Sequence, residues 1–388
     1  MVQQTVIKNC YLYSDSKKQK LSNILIEDGI IKSIDSTNEN INDDRAVQID
    51  AENKVVIPGL IDVHIQGAGG ADILDNGEEA LITISKTLAE TGTTSYLGTT
   101  VVKPEEDNRH LRLAESYFNK KVMGAELIGI HLEGPFINPI KKGGLNPAGI
   151  YEAGMHGGLE GILDAAGDSL KMMTIAPELE GNEKIIKDLR EKNIIAAFAH
   201  SDADYEQTKL GFKMGINHVT HLYNAMRTMT HREPGPIPAI FEEENIPVQI
   251  ISDGHHINGA MVNLAYRNIG IDRCICITDG MHGIGLPEGK YLYNGREYIS
   301  KDGAAKYLDG TLIGSTMSLL NIALKFMQFT NCSFEDAINS VTINPAKLLG
   351  LDDKKGNIKT GADADLVILN EDYTVDKTIV HGEVVYSK

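Results

Sequence analysis

The sequence lacks features that mark several common classes of protein. Only four cysteines occur in 388 residues, Cys10, Cys274, Cys276 and Cys332, and these are too few and too scattered for a disulfide scaffold. No apolar run reaches the roughly 18 residues of a membrane-spanning helix, and the N-terminus lacks the basic and apolar segments of a secretion signal. We therefore expect a cytoplasmic protein whose cysteines are structural.

Basic residues are also scarce. The chain has 37 Lys and Arg against 54 Asp and Glu, and its formal net charge is −17. Nucleic acids and anionic membranes select basic proteins, so the charge argues against both as partners. An anionic substrate would have to be held by a local cluster of positive charge.

The two ends of the chain differ in pattern from the middle. Residues 1–55 and 355–388 contain short β-prone runs separated by turn signals, such as NILIEDGIIKSI with a hairpin turn at Asp28-Gly29. These ends predict one small β-sandwich domain built from both termini. Residues 56–354 alternate β-prone and helix-like segments, which is typical of βα units and a parallel sheet. A TIM barrel takes about 250 residues, so a TIM-like (β/α)8 barrel with this companion domain fits the length.

Eight β-prone runs follow one another in the middle, and several end in a polar residue. The eight runs are VVIPGLIDVH, TTSYLGTT, LIGIHLEG, KMMTIAPE, IIAAFAH, GINHVTH, IPVQIISD and CICITD. A TIM barrel keeps its active site at the C-terminal ends of its strands. Glu133, His200 and His221 lie at such ends and offer the nitrogen and oxygen ligands that Zn²⁺ or Fe²⁺ takes. Asp279 ends the last run, and we interpret it as the general base that activates water and then protonates a leaving amine.

Several longer segments resemble the N-acetylglucosamine-6-phosphate deacetylases of the amidohydrolase superfamily. These segments include HLEGPFINPIKKGG, HLYNAMRTMTHREPG, SDGHHI and TDGMHGIG. HLEGP and HLYNAM followed by HREPG are the most specific to the deacetylases. KTGADADLVIL, near the end, is shared more widely among amidohydrolases. The resemblance covers nearly the whole chain and implies the same metal ligands and the same acid/base.

The resemblance also implies residues that bind the substrate. Asn224 and the backbone of Ala225 would contact the sugar or its phosphate, and His256 would contact the acetamido group. Arg232 would reach the phosphate from the neighbouring subunit of a homodimer, supplying the positive charge that the acidic chain needs as a planar, bidentate guanidinium. The alternative for Arg232 is a surface salt bridge with Glu233.

Two positions depart from the family pattern. Some members carry a His-x-His pair on the first strand and bind two metals, whereas this chain has His64-Ile65-Gln66. Glutamine is a poor ligand for such metals, so we expect one divalent ion of the Zn, Fe, Mn or Co class, with His64 beside it or at a weaker second site. In KKGGLNP, Leu145 replaces a histidine that contacts the sugar, and this leaves the choice of epimer open.

These features predict a metal-dependent hydrolase that converts N-acetylglucosamine 6-phosphate to glucosamine 6-phosphate and acetate. N-acetylgalactosamine 6-phosphate is the alternative substrate. A ring-opening hydrolase or nucleobase deaminase would leave HREPG unexplained. Such enzymes often rely on a carboxylated lysine or a fuller set of histidines for their metals, and this chain has no lysine at an expected strand end. A non-catalytic sugar-phosphate binding protein has no need of a base such as Asp279.

Overall fold

The computed structural model describes residues 4–13, 21–35, 46–75, 77–118, 120–293 and 295–388. Residues 1–3, 14–20 and 36–45 of the predicted terminal domain lie outside these ranges. Across the described part of the chain, no helix is long and apolar enough to cross a membrane.

The middle of the chain forms a sheet of eight parallel strands, each paired with its neighbour in sequence. The strands, numbered first to eighth in this order, are Leu60–Ile65, Thr93–Thr100, Glu126–Glu133, Leu170–Ile175, Ile195–Phe198, His218–Val219, Val248–Ile250 and Cys274–Cys276. The sheet closes where the Gln66 amide donates to the Gly280 carbonyl at 2.8 Å and the Asp279 amide donates to the His64 carbonyl at 3.0 Å. The predicted barrel and all eight of its predicted strands are confirmed.

Helices connect the barrel strands and cover the outside of the barrel. The α-helices are Glu78–Glu90, Arg109–Tyr117, Gly158–Ala166, Asn182–Glu191, Tyr205–Met214, Ile237–Glu242, Gly259–Ile269, Leu319–Thr330, Phe334–Asn339 and Ile343–Leu348. Short 3-10 helices span Pro104–Glu106, Pro139–Lys141, Pro147–Gly149, Gly167–Ser169 and Ile271–Arg273. The helix that begins at Tyr205 shows why these segments start where they do. Asp204 accepts from the Gln207 amide at 2.9 Å, while the Gln207 side chain accepts from the Asp204 amide at 3.0 Å, a reciprocal cap that satisfies two free amides.

The two chain ends build a second sheet of eight strands with a buried core of its own. Its strands are Gln4–Leu12, Leu21–Glu27, Ile30–Asp35, Val47–Asp50, Val55–Pro58, Leu366–Leu369, Val375–Val380 and Glu383–Ser387. The predicted hairpin turn at Asp28-Gly29 is confirmed, with positive φ at both residues. The hairpin contacts the segment that precedes Leu366, where the Ile31 amide donates to the Ala362 carbonyl at 2.9 Å. This contact curls the sheet around its buried core. The expected β-sandwich from both termini is therefore present.

The chain crosses from the terminal sheet to the barrel at Gly59. The apolar run VVIPGLIDVH divides there into Val55–Pro58, which pairs with Leu366–Leu369, and the first barrel strand. A Cβ on Gly59 would lie 2.1 Å from Oγ1 of Thr94, so only glycine fits this crossing. The division of the domains at residues 55/56 and 354/355 stays a prediction.

A third sheet, which the sequence did not predict, follows the eighth barrel strand. It is an antiparallel meander of four strands, Gly289–Tyr293, Arg296–Lys301, Ala304–Tyr307 and Leu312–Ser315. Its last strand returns to the barrel, where the Ser315 amide donates to the Asp279 carbonyl at 3.0 Å. A small hairpin, Gly67–Ala68 with Ala71–Asp72, follows the first barrel strand. Both insertions therefore lie at the C-terminal end of the barrel.

Candidate active site

The third, fifth and sixth barrel strands bring three predicted metal ligands together. Glu133 is the last residue of its strand, and His200 and His221 each follow the end of theirs by two residues. Oε1 of Glu133 lies 3.0 Å from Nε2 of His200 and 3.0 Å from Nε2 of His221, and the two Nε2 atoms are 3.1 Å apart. All three side chains are buried.

The backbone is strained at this end of the barrel. His200 and His221 have φ values of 47° and 29°, and Asp279 has 47°. Residues other than glycine rarely adopt this left-handed backbone conformation, and such residues cluster at functional sites. The strained conformations coincide with the residues selected from the sequence for their chemistry.

The three ligand atoms fit a shared cation. Nδ1–H of His200 donates to the Lys141 carbonyl at 2.7 Å, so its Nε2 carries a lone pair directed at Glu133. Burial raises the pKa of Glu133, but the adjacent imidazoles of His200 and His221 hold it well below its usual value. A lone pair beside a carboxylate oxygen is repulsive unless a proton or metal ion lies between them. The group can therefore hold a metal ion.

Asp279 lies next to this group and contacts three side chains. Its Oδ1 is 3.2 Å from Nε2 of His64 and accepts from Nε2 of Gln66 at 3.0 Å, while its Oδ2 is 3.3 Å from Nε2 of His256. Burial raises the pKa of Asp279, but the imidazoles of His256 and His64 hold it well below its usual value. Asp279 is therefore an ionised carboxylate that can accept a proton.

His256 is oriented by Asp253, whose role the sequence left open. Oδ2 of Asp253 lies 2.6 Å from Nδ1 of His256, and its Oδ1 accepts from the amides of His255 and His256 at 2.8 Å. Burial lowers the pKa of His256, but Asp253 and Asp279 raise it to about 9. The Nε2–H of His256 is thus available as a donor beside Asp279.

One cavity of about 260 Å³ contains the predicted ligands and base and part of the predicted substrate site. Asn224, Ala225, His256 and Leu145 line it. Arg232 does not line it and is exposed. Within the described chain the Arg232 side chain forms no ion pair, so the structure gives no support to the alternative of a salt bridge with Glu233.

His64 lies beside the three ligands. Its Nε2 is 3.8 Å from Oε1 of Glu133, and its Nδ1 is 3.0 Å from Oε1 of Gln249. The same Gln249 oxygen lies 3.3 Å from the backbone nitrogen of His221. The buried side chain of Gln249 therefore links His64 to His221. Gln249 was missed from the sequence, although a polar residue inside the apolar run IPVQII was a signal for it.

The sequence also missed the cavity residues supplied by the two insertions. Tyr293, Tyr307, Leu312 and Ile313 come from the four-stranded sheet, and Asp72 comes from the small hairpin. Burial raises the pKa of Asp72 to about 7, against the hydrogen bond from the Leu74 amide. No motif in these segments indicates a functional role.

A parallel barrel with a buried group of Glu and His side chains at its C-terminal end is typical of metal-dependent hydrolases. The sequence matches the amidohydrolase family over residues 55–385, and this chain belongs to that family. It is 34% identical to the N-acetylglucosamine-6-phosphate deacetylase of Bacillus subtilis (strain 168), over 100% of this chain and 98% of that protein. It is 29% identical to the N-acetylgalactosamine-6-phosphate deacetylase of Escherichia coli O157:H7, over 92% of this chain and 93% of that protein. The crystal structure of N-acetylglucosamine-6-phosphate deacetylase from Pasteurella multocida superposes with a TM-score of 0.90 at 25% identity, covering 99% of this chain and 100% of that one.

Proposed function

We propose that this chain removes the acetyl group from N-acetylglucosamine 6-phosphate, giving glucosamine 6-phosphate and acetate. The observation that carries the proposal is the buried group of Glu133, His200 and His221 with the ionised Asp279 in the same cavity. The full-length similarity to deacetylases of this name supports the choice of substrate.

Glu133, His200 and His221 would hold one divalent ion of the Zn, Fe, Mn or Co class. Bound there, the ion would supply Lewis-acid chemistry that polarises the amide carbonyl and makes water more acidic. The side-chain N–H of Gln66 donates a hydrogen bond to Oδ1 of Asp279, which favours a single ion, and His64 lies beside the proposed ligands. Chemical analysis of the purified protein for bound metal, with an expected ratio of about one ion per chain, tests this assignment.

Asp279 would carry the proton transfers, and His256 would stabilise the charge that develops on the substrate. The Asp279 carboxylate takes a proton from the attacking water as oxygen bonds to the acetyl carbon, and it returns that proton to the sugar nitrogen as the C–N bond breaks. Nε2–H of His256, held by Asp253, donates to the developing charge on the acetyl oxygen. Water and the acetamido group thereby give acetate and the free amine, and no other reactant is needed.

Acetate release tests the reaction. The metal-analysed protein is assayed with N-acetylglucosamine 6-phosphate, its galactosamine epimer and both unphosphorylated sugars. We expect metal-dependent release from the phosphorylated glucosamine derivative and loss of most turnover in Asp279→Asn with binding retained. Near-normal turnover in Asp279→Asn would remove it from this role, and silence on both phosphates with metal bound would contradict the proposed reaction.

In a homodimer, Arg232 would bind the phosphate of the substrate held in the neighbouring subunit. Asn224 and Ala225 would contact the sugar phosphate held in their own subunit. Arg232 is exposed and outside the cavity of its own chain, as a contribution across an interface requires. Arg232→Ala is expected to raise KM for the phosphorylated sugar, since a bidentate charged contact is lost.

Mixed dimers test this contribution directly. Arg232→Ala and Asp279→Asn subunits are each expected to be impaired alone. Random mixing of the two should restore about a quarter of wild-type activity, because half of the dimers are hybrids with one complete site of two. No recovery in verified hybrid dimers would place Arg232 in its own subunit's site or outside the site altogether.

The galactosamine epimer remains the second substrate to assay, because Leu145 lines the cavity with an apolar side chain. The relative that acts on that epimer by name is less similar to this chain than the Bacillus subtilis protein, so the glucosamine derivative is preferred. We further propose that the protein acts in the cytoplasm on this small substrate, without a nucleic-acid or membrane partner.

A further inference from the structure

One part of the cavity wall carries buried polar atoms that the proposed reaction does not use. Oδ2 of Asp72 and Oγ1 of Thr100 are buried and have no hydrogen-bond partner among the described residues. Both residues line the cavity that contains Glu133 and Asp279. Leaving a buried polar oxygen unpaired is unfavourable, so this wall favours a ligand that brings hydrogen-bond donors.

Asp72 and Thr100 come from neighbouring parts of the barrel. Thr100 ends the second strand, which pairs with the first, and Asp72 belongs to the hairpin that follows the first strand. The Ile73 amide donates to the Gln66 carbonyl at 2.9 Å and ties this hairpin to the end of its strand. The two polar side chains therefore share one side of the cavity.

The turn around Asp72 fixes its carboxyl group. Oδ1 of Asp72 accepts from the Leu74 amide at 2.8 Å, and the Asp72 amide donates to Oδ2 of Asp75 at 2.9 Å. These contacts engage Oδ1, and the nearby Tyr293 hydroxyl, which also belongs to the cavity wall, lowers the pKa of the carboxyl group as a hydrogen-bond donor. Oδ2 has no partner within hydrogen-bond geometry and faces the ligand cavity. Asp75 does not line the cavity, so its role is confined to the turn.

The substrate chemistry leaves the ring hydroxyls without an assigned partner. The acetamido group would react beside Asp279 and His256, and the phosphate would be bound by Arg232. Leu145, which also lines the cavity, has no polar side-chain atom to offer. A carboxylate and a hydroxyl are the groups that can pair with the remaining sugar hydroxyls.

We propose that Asp72, together with Thr100 from the neighbouring strand, binds a ring hydroxyl of the amino-sugar phosphate and thereby determines which sugar the site accepts. This inference rests on the proposed function and extends it to the recognition of the sugar ring. A preformed carboxylate selects strongly for a hydroxyl, because an analogue without it leaves the buried oxygen unpaired.

Calorimetric binding separates this role from catalysis. The titrations use metal-loaded Asp279→Asn protein, in which N-acetylglucosamine 6-phosphate is not consumed. Adding Asp72→Asn keeps Oδ1 for the Leu74 amide but replaces the free oxygen with an NH2 group that cannot accept. At pH 8, above the Asp72 pKa of about 7, we expect Kd to rise about tenfold to a hundredfold, as for loss of a hydrogen bond to a charged group. Glu79→Gln, an exposed change outside the cavity, is the control and should leave Kd unchanged.

Deoxy analogues identify the hydroxyl. The 3-deoxy and 4-deoxy forms of the sugar phosphate are titrated into the protein with and without the Asp72→Asn change. One analogue should bind with the same affinity in both cases, because it already lacks the hydroxyl that Asp72 binds. Thr100→Val should weaken binding of the full sugar by a smaller factor. Equal losses of affinity for both analogues, an equal loss in Glu79→Gln, or no sugar binding at all would overturn the inference. Acetate release by the wild-type protein judges the proposed reaction separately.

Discussion

Lys355→Met should destabilise the fold by removing a buried charge between the barrel and the terminal sheet. Nζ of Lys355 lies 2.7 Å from Oδ2 of Asp365 and 2.8 Å from Oε2 of Glu126, with Oδ2 of Asp363 at 3.6 Å. Glu126 begins the third barrel strand, whereas Asp365 directly precedes a strand of the terminal sheet. The lysine side chain is only 8% exposed, so its removal leaves several carboxylates close together with little water.

The expected loss is about 3–5 kcal/mol at pH 7, the range for removing one partner of a buried ion pair. Lys359→Met is the matched control, since Lys359 lies four residues away and pairs at 3.8 Å with the fully exposed Asp353. Exposed pairs of that kind contribute about 0–1 kcal/mol. Urea unfolding followed by circular dichroism measures both variants, because the chain has no tryptophan to report by fluorescence.

The pH dependence gives a second measurement of the same cluster. Burial raises the pKa of Glu126, but His381 and Lys355 lower it to about 2. This folded pKa lies below the unfolded value of about 4.3, so the contribution of Glu126 is present above that value and is lost as the pH falls towards 2. Without Lys355, ionised Glu126 contributes less to stability. The difference in the free energy of unfolding between wild type and Lys355→Met should therefore narrow as the pH falls from 7 to 3. This reasoning would be refuted if Lys355→Met lost no more stability than Lys359→Met. It would also be refuted if the difference in stability between Lys355→Met and wild type did not change with pH.

Three further outcomes are expected. Chelation should abolish acetate release and lower the thermal midpoint, and divalent metal should restore both, because an ion that binds the folded state stabilises it; an unchanged midpoint and activity would contradict the metal site. Asp253→Asn should reduce kcat about 10- to 100-fold, because the charged hydrogen bond that orients His256 is lost. It should also lower the midpoint of unfolding, because Asp253 is fully buried. Gly59→Ala should cost about 1–3 kcal/mol in urea unfolding, since its Cβ would overlap Thr94, whereas Gly77→Ala, with nothing within 4 Å, should cost under about 1 kcal/mol.

The barrel could be predicted because each strand is a short apolar run that is buried on both faces. Glu133, His200 and His221 could be selected because the active site of a parallel barrel lies at the C-terminal ends of its strands, and each of these residues ends an apolar run. Their convergence to about 3 Å depends on backbone turns with positive φ, which residue type alone does not reveal.

The four-stranded sheet could not be predicted in the same way. Its first strand, Gly289–Tyr293, is only partly buried along its length and alternates with exposed residues, so it has no apolar run to mark it. Asp72 was missed for a different reason. It lies in a two-residue strand after a glycine-rich turn, and only the folded chain shows that its carboxyl group lines the cavity.

The terminal sheet fixes an order of events during synthesis. Val56 pairs with Ile368, 312 positions later, in adjacent antiparallel strands. The first strands therefore leave the ribosome before the residues that complete their sheet have been made, and their apolar side chains, such as Ile7 and Ile24, await Leu366 and Ile379. Non-local pairing of this kind is slow to form and exposes strand edges while it waits. The barrel can assemble first, and the last residues of the chain then close the terminal sheet.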